Sequence, residues 1–152
     1  RVFTGDKSSD FLYKCLYEAK ISNQSTSKNL NDGLKLKNAF ITTALKCVPP
    51  EDKPLTKELK NCFNYFDQEI NNLKNMKIII ALGKIAFDAC VFFYKSNYNF
   101  FEKLKFGHEQ IYKLPNNILL VGCYHPSPRN VNTGRIDQKK MVKLFKKVLK
   151  LV

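Results

Sequence analysis

Apolar residues recur along this chain with two different periods. Phe11, Leu12, Cys15, Leu16 and Ala19 fall at helical spacing behind Ser8 and Ser9, either of which can cap a helix running to about Ser22. Residues 22–37, rich in Ser, Asn and Lys, read as a polar connection. Ala39–Lys46 is β-branched and aromatic enough for a strand, which Pro49, Pro50 and Pro54 bring to an end. Thr56 opens a second helix with Leu59, Cys62, Phe63, Phe66, Ile70 and Leu73 on one face. Lys77–Leu82 is a short apolar run, the pattern of a strand covered on both faces. Gly83 turns it into a helix carrying Ile85, Ala86, Ala89, Cys90 and Phe93. After an irregular stretch at 95–117, Asn117–Tyr124 reads as another buried strand. Gly134 precedes a last helix, whose stripe of Met141, Leu144, Phe145, Val148 and Leu149 opposes Lys139, Lys140, Lys143, Lys146, Lys147 and Lys150.

Strands alternating with helices predict an α/β fold, with a parallel sheet and helices on both faces. In such sheets ligands bind beyond the carboxyl ends of the strands. Two unusual segments follow such ends: residues 47–54 and residues 125–130. A length of 152 residues and 44% apolar content suit a single domain with a packed core. No apolar run approaches the roughly 20 residues that span a bilayer. Five cysteines in no disulfide-like pattern, without a signal peptide, favour a reducing, cytoplasmic setting.

Charge narrows the partners. Lys and Arg number 26 against 13 acids, a net +13 that favours anionic partners such as nucleic acid or an acidic membrane surface. Nearly all of it is Lys; Arg stands only at Arg1, Arg129 and Arg135, and only guanidinium forms a rigid fork. The lysines of the last helix read first as a solvated face, with DNA contact as the alternative.

The richest chemistry lies at His125–Arg135, His-Pro-Ser-Pro-Arg-Asn-Val-Asn-Thr-Gly-Arg. Two prolines stiffen the backbone, so a titratable donor, a hydroxyl, amides and two guanidinium groups are presented together. This run resembles the second motif of the family 5 uracil-DNA glycosylases. Three further stretches, in the same order, are similar to that family: Arg1-Val2-Phe3-Thr4-Gly5-Asp6-Lys7-Ser8 to the end of its first motif, Ile41–Pro54 to the segment around Cys-x-Pro-Pro-x-Asn-Lys-Pro, and Ala81–Ala86 to a strand-to-helix turn.

The resemblance implies a single domain over residues 1–152, a three-layer α/β/α arrangement around a mostly parallel sheet, lacking the family's N-terminal strand and first cysteine pair. It implies a monofunctional hydrolase that releases uracil from DNA to start base-excision repair, acting as a monomer on uracil-containing DNA without a membrane. Such an enzyme must flip the nucleotide, stabilise a departing uracil anion and deliver water to the sugar. Asp6 matches the acidic residue that orients water or opposes the sugar cation; a turn or helix-capping role is its structural alternative. His125 is placed to donate to the uracil oxygen that gathers charge. Phe3 matches the aromatic that stacks on the flipped base; a core anchor beside Phe11 is its alternative. Ser127, Arg129, Asn130 and Arg135 are candidates for phosphate contacts, and Lys7, Ser8 and Ser9 can add backbone N–H groups. His108 resembles a family feature without a role that the residues suggest.

Two departures stand out. Asp52 occupies the family's usual Asn position; an ionised Asp only accepts hydrogen bonds and repels an anionic base, which relaxes or shifts base preference, unless it is simply a solvated turn residue. The family also holds a [4Fe–4S] cluster on four cysteines, and Cys47 and Cys62 match one pair. Cys15, Cys90 and Cys123 read as small core residues. Two thiolates cannot hold a cubane, so in this chain the cluster is expected to be incomplete or absent. The rival function is a catalytically inactive DNA-binding member of the same fold.

Overall fold

The computed structural model describes residues 3–44, 46 and 65–151. In chain order the elements are α1 (Lys7–Glu18), α2 (residues 65–72), β1 (Ile78–Leu82), α3 (Lys84–Tyr98), β2 (Ile111–Lys113), a 3-10 turn (Pro115–Asn117), β3 (Leu119–Cys123), α4 (Pro128–Asn132) and α5 (Gln138–Leu149). They divide into two compact units, Arg1–Thr42 with Tyr124–Val152, and Thr43–Cys123.

The first unit is built on α1 packed against α5. The apolar stripes read from the sequence are the faces that close: Leu12, Cys15 and Leu16 on one helix, Met141, Leu144, Phe145 and Val148 on the other, all buried. Leu149 is exposed, and Val142 is buried instead. The six lysines opposite are all exposed. The cap of α1 is Asp6 rather than Ser8 or Ser9, and the helix stops at Glu18 rather than near Ser22. Lys20 adopts a left-handed φ of 61°, and the Ile21 and Ser22 N–H groups then return to the Leu16 carbonyl, which closes the helix end.

The polar connection that follows is ordered by its own side chains. Asn23 Nδ2 donates to the Gly33 carbonyl and its Oδ1 accepts from Lys35 N–H, while Asp32 accepts from Lys28, Asn29 and Leu34 N–H. One antiparallel bridge joins Ser22 to Leu36. The strand expected at Ala39–Lys46 does not form among the described residues: 39–44 and 46 belong to no ladder. β-propensity alone does not make a strand, because the backbone groups need a partner edge.

The second unit holds a three-stranded sheet in the order β1-β3-β2. β1 pairs parallel with β3, Ile80 opposite Val121, whereas β2 pairs antiparallel with it, Tyr112 opposite Leu120. Among the described residues the fold is therefore α/β with a small mixed sheet, not a mostly parallel one. The reason is local: β2 and β3 are joined by a tight turn, and only antiparallel strands can be joined so closely. β2 lies within the stretch read as irregular, since three residues carry too little periodicity to announce a strand. β1 is covered less fully than its composition suggests, with only Ala81 fully buried. Gly122 is required where it stands, because a Cβ there would lie 2.2 Å from the Gly107 carbonyl oxygen. That close approach gives the Phe106-Gly107-His108 segment a structural role. Phe66, Ile70, Phe87, Phe93, Tyr94 and Leu120 form this unit's core. No helix among the described residues is long and apolar enough to cross a membrane.

Candidate active site

The candidate site is assembled within the first unit from two segments more than a hundred residues apart, 3–9 and 125–135. The first begins with an unusual backbone. Phe3 and Gly5 both adopt left-handed conformations, with φ of 54° and 84°. Glycine does so freely, whereas a bulky residue there is an outlier costing on the order of 1–2 kcal/mol. Thr4, between them, is anchored by a 2.8 Å hydrogen bond between its hydroxyl and that of Ser27, which is 4% exposed. Ser27 was not distinguishable in the sequence; it is one of several serines in a polar stretch, and only folding brings it to Thr4.

Asp6 then ends the turn and begins α1. Its Oδ1 accepts from Ser9 N–H at 2.7 Å, while its own N–H donates to Ser9 Oγ at 3.2 Å. Asp6 is thus the helix cap that the structural reading allowed, and it is exposed. Among the described residues its second carboxylate oxygen has no hydrogen-bond partner, so capping leaves one oxygen for chemistry. Ser9 is buried and its N–H is committed to Asp6 Oδ1, so it does not offer the backbone donor to a phosphate that the sequence suggests.

His125 faces this segment. Its ring centroid lies 6.2 Å from that of Phe3, with the planes tilted by 36°. Burial pushes the imidazole below its ordinary value of 6.5, and the charge of Asp6 opposes that shift without reversing it. At neutral pH the ring is therefore uncharged and carries one N–H donor. Its backbone is held from behind: Asn130 Nδ2 donates to the His125 carbonyl at 2.9 Å. Ser127 caps α4, its Oγ accepting from Asn130 N–H at 3.4 Å. Ser127 and Asn130 therefore shape the loop, while the exposed Arg129 and Arg135 present their guanidinium groups. Lys140 Nζ donates to the Gly134 carbonyl at 2.9 Å, tying the start of α5 to the end of this loop.

Asp52, Cys47 and Cys62 lie outside the described residues. Among those described, no three His, Cys, Asp or Glu side chains form a group able to hold a metal ion. Cys15, Cys90 and Cys123 are buried, as their apolar settings predict. Burial pushes the Cys15 and Cys90 thiols up to about 12, in Cys15 with help from the charges of Glu18 and Asp137. These thiols are therefore protonated at neutral pH, as suits small residues packed in an apolar core.

A strained aromatic, a carboxylate with one oxygen uncommitted and a neutral imidazole, set on stiff loops beside two arginines, suit cleavage of a bond to an anionic leaving group. Residues 1–150 match the Uracil DNA glycosylase superfamily, and the chain belongs to that superfamily. Within it, the chain is similar to proteins of the type-5 branch. It is 33% identical over 154 residues to the type-5 uracil-DNA glycosylase of Thermus thermophilus, covering 99% of this chain and 67% of that protein. It is 30% identical over 147 residues to that of Pyrobaculum aerophilum, covering 97% and 62%. To that of Mycobacterium bovis it is 32% identical over 152 residues, covering 99% and 56%. The chain thus spans between about half and two thirds of the length of these relatives.

Proposed function

We propose that this chain carries the catalytic centre of a monofunctional uracil-DNA glycosylase. The observation that supports it most is the meeting of Phe3, Asp6 and His125, with Phe3 held in a left-handed conformation against the His125 ring. Phe3 stacks on the flipped uracil. As the bond from the sugar C1′ to N1 breaks, its electron pair passes into the base, and the neutral His125 donates its N–H to the oxygen where that charge gathers. Asp6 Oδ2 orients a water whose oxygen bonds to C1′, taking up the proton that the base finally receives at N1. No lysine adduct is needed. Arg129 and Arg135 contact flanking phosphates, and Ser127 and Asn130 hold the loop or reach phosphate with their remaining groups.

Asp52 is a candidate reader of the base edge, and Cys47 with Cys62 a candidate half of a [4Fe–4S] site, both on the resemblance alone. The three-layer arrangement, the monomeric state and a place in the cell with the chromosome belong to this same reading. The test is uracil release from a labelled oligonucleotide at stated low salt. His125→Ala is expected to slow release about 10²–10³-fold with little loss of DNA affinity. DNA binding without release by the unaltered chain would instead identify an inactive DNA-binding member of the superfamily.

A further inference from the structure

α5 carries an arrangement that helix stability alone does not favour. Lys139, Lys140, Lys143, Lys146, Lys147 and Lys150 are all exposed. At about 100° per residue they fall within an arc of roughly 120°. Residues 138–150 contain no acid. Lys139–Lys143, Lys143–Lys147 and Lys146–Lys150 are like charges four apart, and Lys140–Lys143, Lys143–Lys146 and Lys147–Lys150 are like charges three apart, all of them unfavourable. Lys139 and Lys140 also stand in the first turn, where the helix dipole disfavours cations. A helix face that is merely solvated commonly interleaves Glu with Lys, as opposite-charge pairs at these spacings stabilise it. Two acids stand at the helix start: Asp137, 3.6 Å from Lys140, and Glu18, which accepts from Gln138.

A local rule broken along the length of a helix face marks a surface shaped by a partner. The hydrogen bond from Lys140 to Gly134 joins the start of this face to the loop bearing Arg135. The face then extends about 18 Å, the length of a twelve-residue helix. We propose that α5 is a track for DNA phosphates, reading no base and covering about five base pairs to one side of the uracil. This rests on the glycosylase reading above, and deepens it by giving the enzyme its substrate-holding surface.

The test is the salt dependence of binding to a duplex carrying one uracil. Replacing Lys143, Lys146 and Lys150 together by Gln should reduce the slope of log K against log salt by about 2–3, since each phosphate contact contributes about 0.9. The loss should fall on KM rather than kcat, and the melting temperature should hold or rise as repulsion is relieved. The same three positions changed to Arg should keep the slope, and Lys95, Lys103 and Lys113 changed to Gln should leave it unaltered. An unaltered slope in the α5 variant, or an equal fall in the control triple, overturns the track. Uracil release with an unaltered slope overturns the track alone. A reduced slope with no uracil release by the unaltered chain supports the track and overturns the glycosylase reading.

Discussion

α1 and α5 are locally the same object. Each has twelve residues, and each begins at an Asp in extended conformation, φ −127° for Asp6 and −130° for Asp137. In each the cap carboxylate accepts from the third residue's N–H, at 2.7 Å from Ser9 and 2.8 Å from Lys140. They differ in what surrounds the cap. Asp6 sits where its charge reaches His125, next to a strained Phe3. Asp137 stands in solvent, its carboxyl held below the usual range chiefly by the hydrogen bond from the Lys140 backbone. The same capping chemistry becomes part of a reaction centre in one place and remains a helix start in the other. Their outer faces differ too: α1 mixes Lys7, Asp10, Lys14 and Glu18, whereas that of α5 is lysine throughout.

The sharpest test of this contrast replaces each cap by Asn, which caps as well as Asp but carries no charge. Asp6→Asn should lower kcat for uracil release about 10²–10⁴-fold, the usual scale for general acid–base groups, whereas Asp137→Asn should leave release unchanged. Both should melt close to the unaltered chain. Equal losses of activity would break the comparison, since capping would then be all that either Asp does.

Next in size is the brace behind Phe3. Thr4→Val removes the hydroxyl bonded to Ser27 while keeping the shape, and should lower stability by about 1 kcal/mol, the net value of such a bond. Because Phe3 is held in an unfavourable conformation, release should fall by about tenfold, and Thr4→Ser should restore it. A stability loss with unchanged release would make the brace purely structural.

The smallest effect concerns pH. The folded state holds His125 below its ordinary value, so below about pH 6.5 the unfolded chain takes up a proton that the folded chain resists. The contribution of this group is complete above that pH and is lost as pH falls toward its folded value. Urea midpoints at pH 7.5, 6.5 and 5.5 should therefore decline more steeply for the unaltered chain than for His125→Gln. Parallel declines would mean that the ring is not desolvated by the fold.

The sequence by itself determined the α/β class, both apolar stripes that close between α1 and α5, the buried state of Cys15, Cys90 and Cys123, and the superfamily. These rest on periodicity and on contiguous motifs, which a chain displays without being folded. Phe3, Asp6 and His125 were legible as candidates because each lies in such a motif. Only the tertiary structure decided that Asp6 serves as cap with an oxygen to spare, that Ser27 braces Thr4, and that Asn130 supports the His125 backbone. It also decided that residues 39–44 form no strand and that the sheet is mixed. Hydrogen-bond partners, burial and the protonation they impose depend on which distant groups come near. Spacing along a chain carries no record of that.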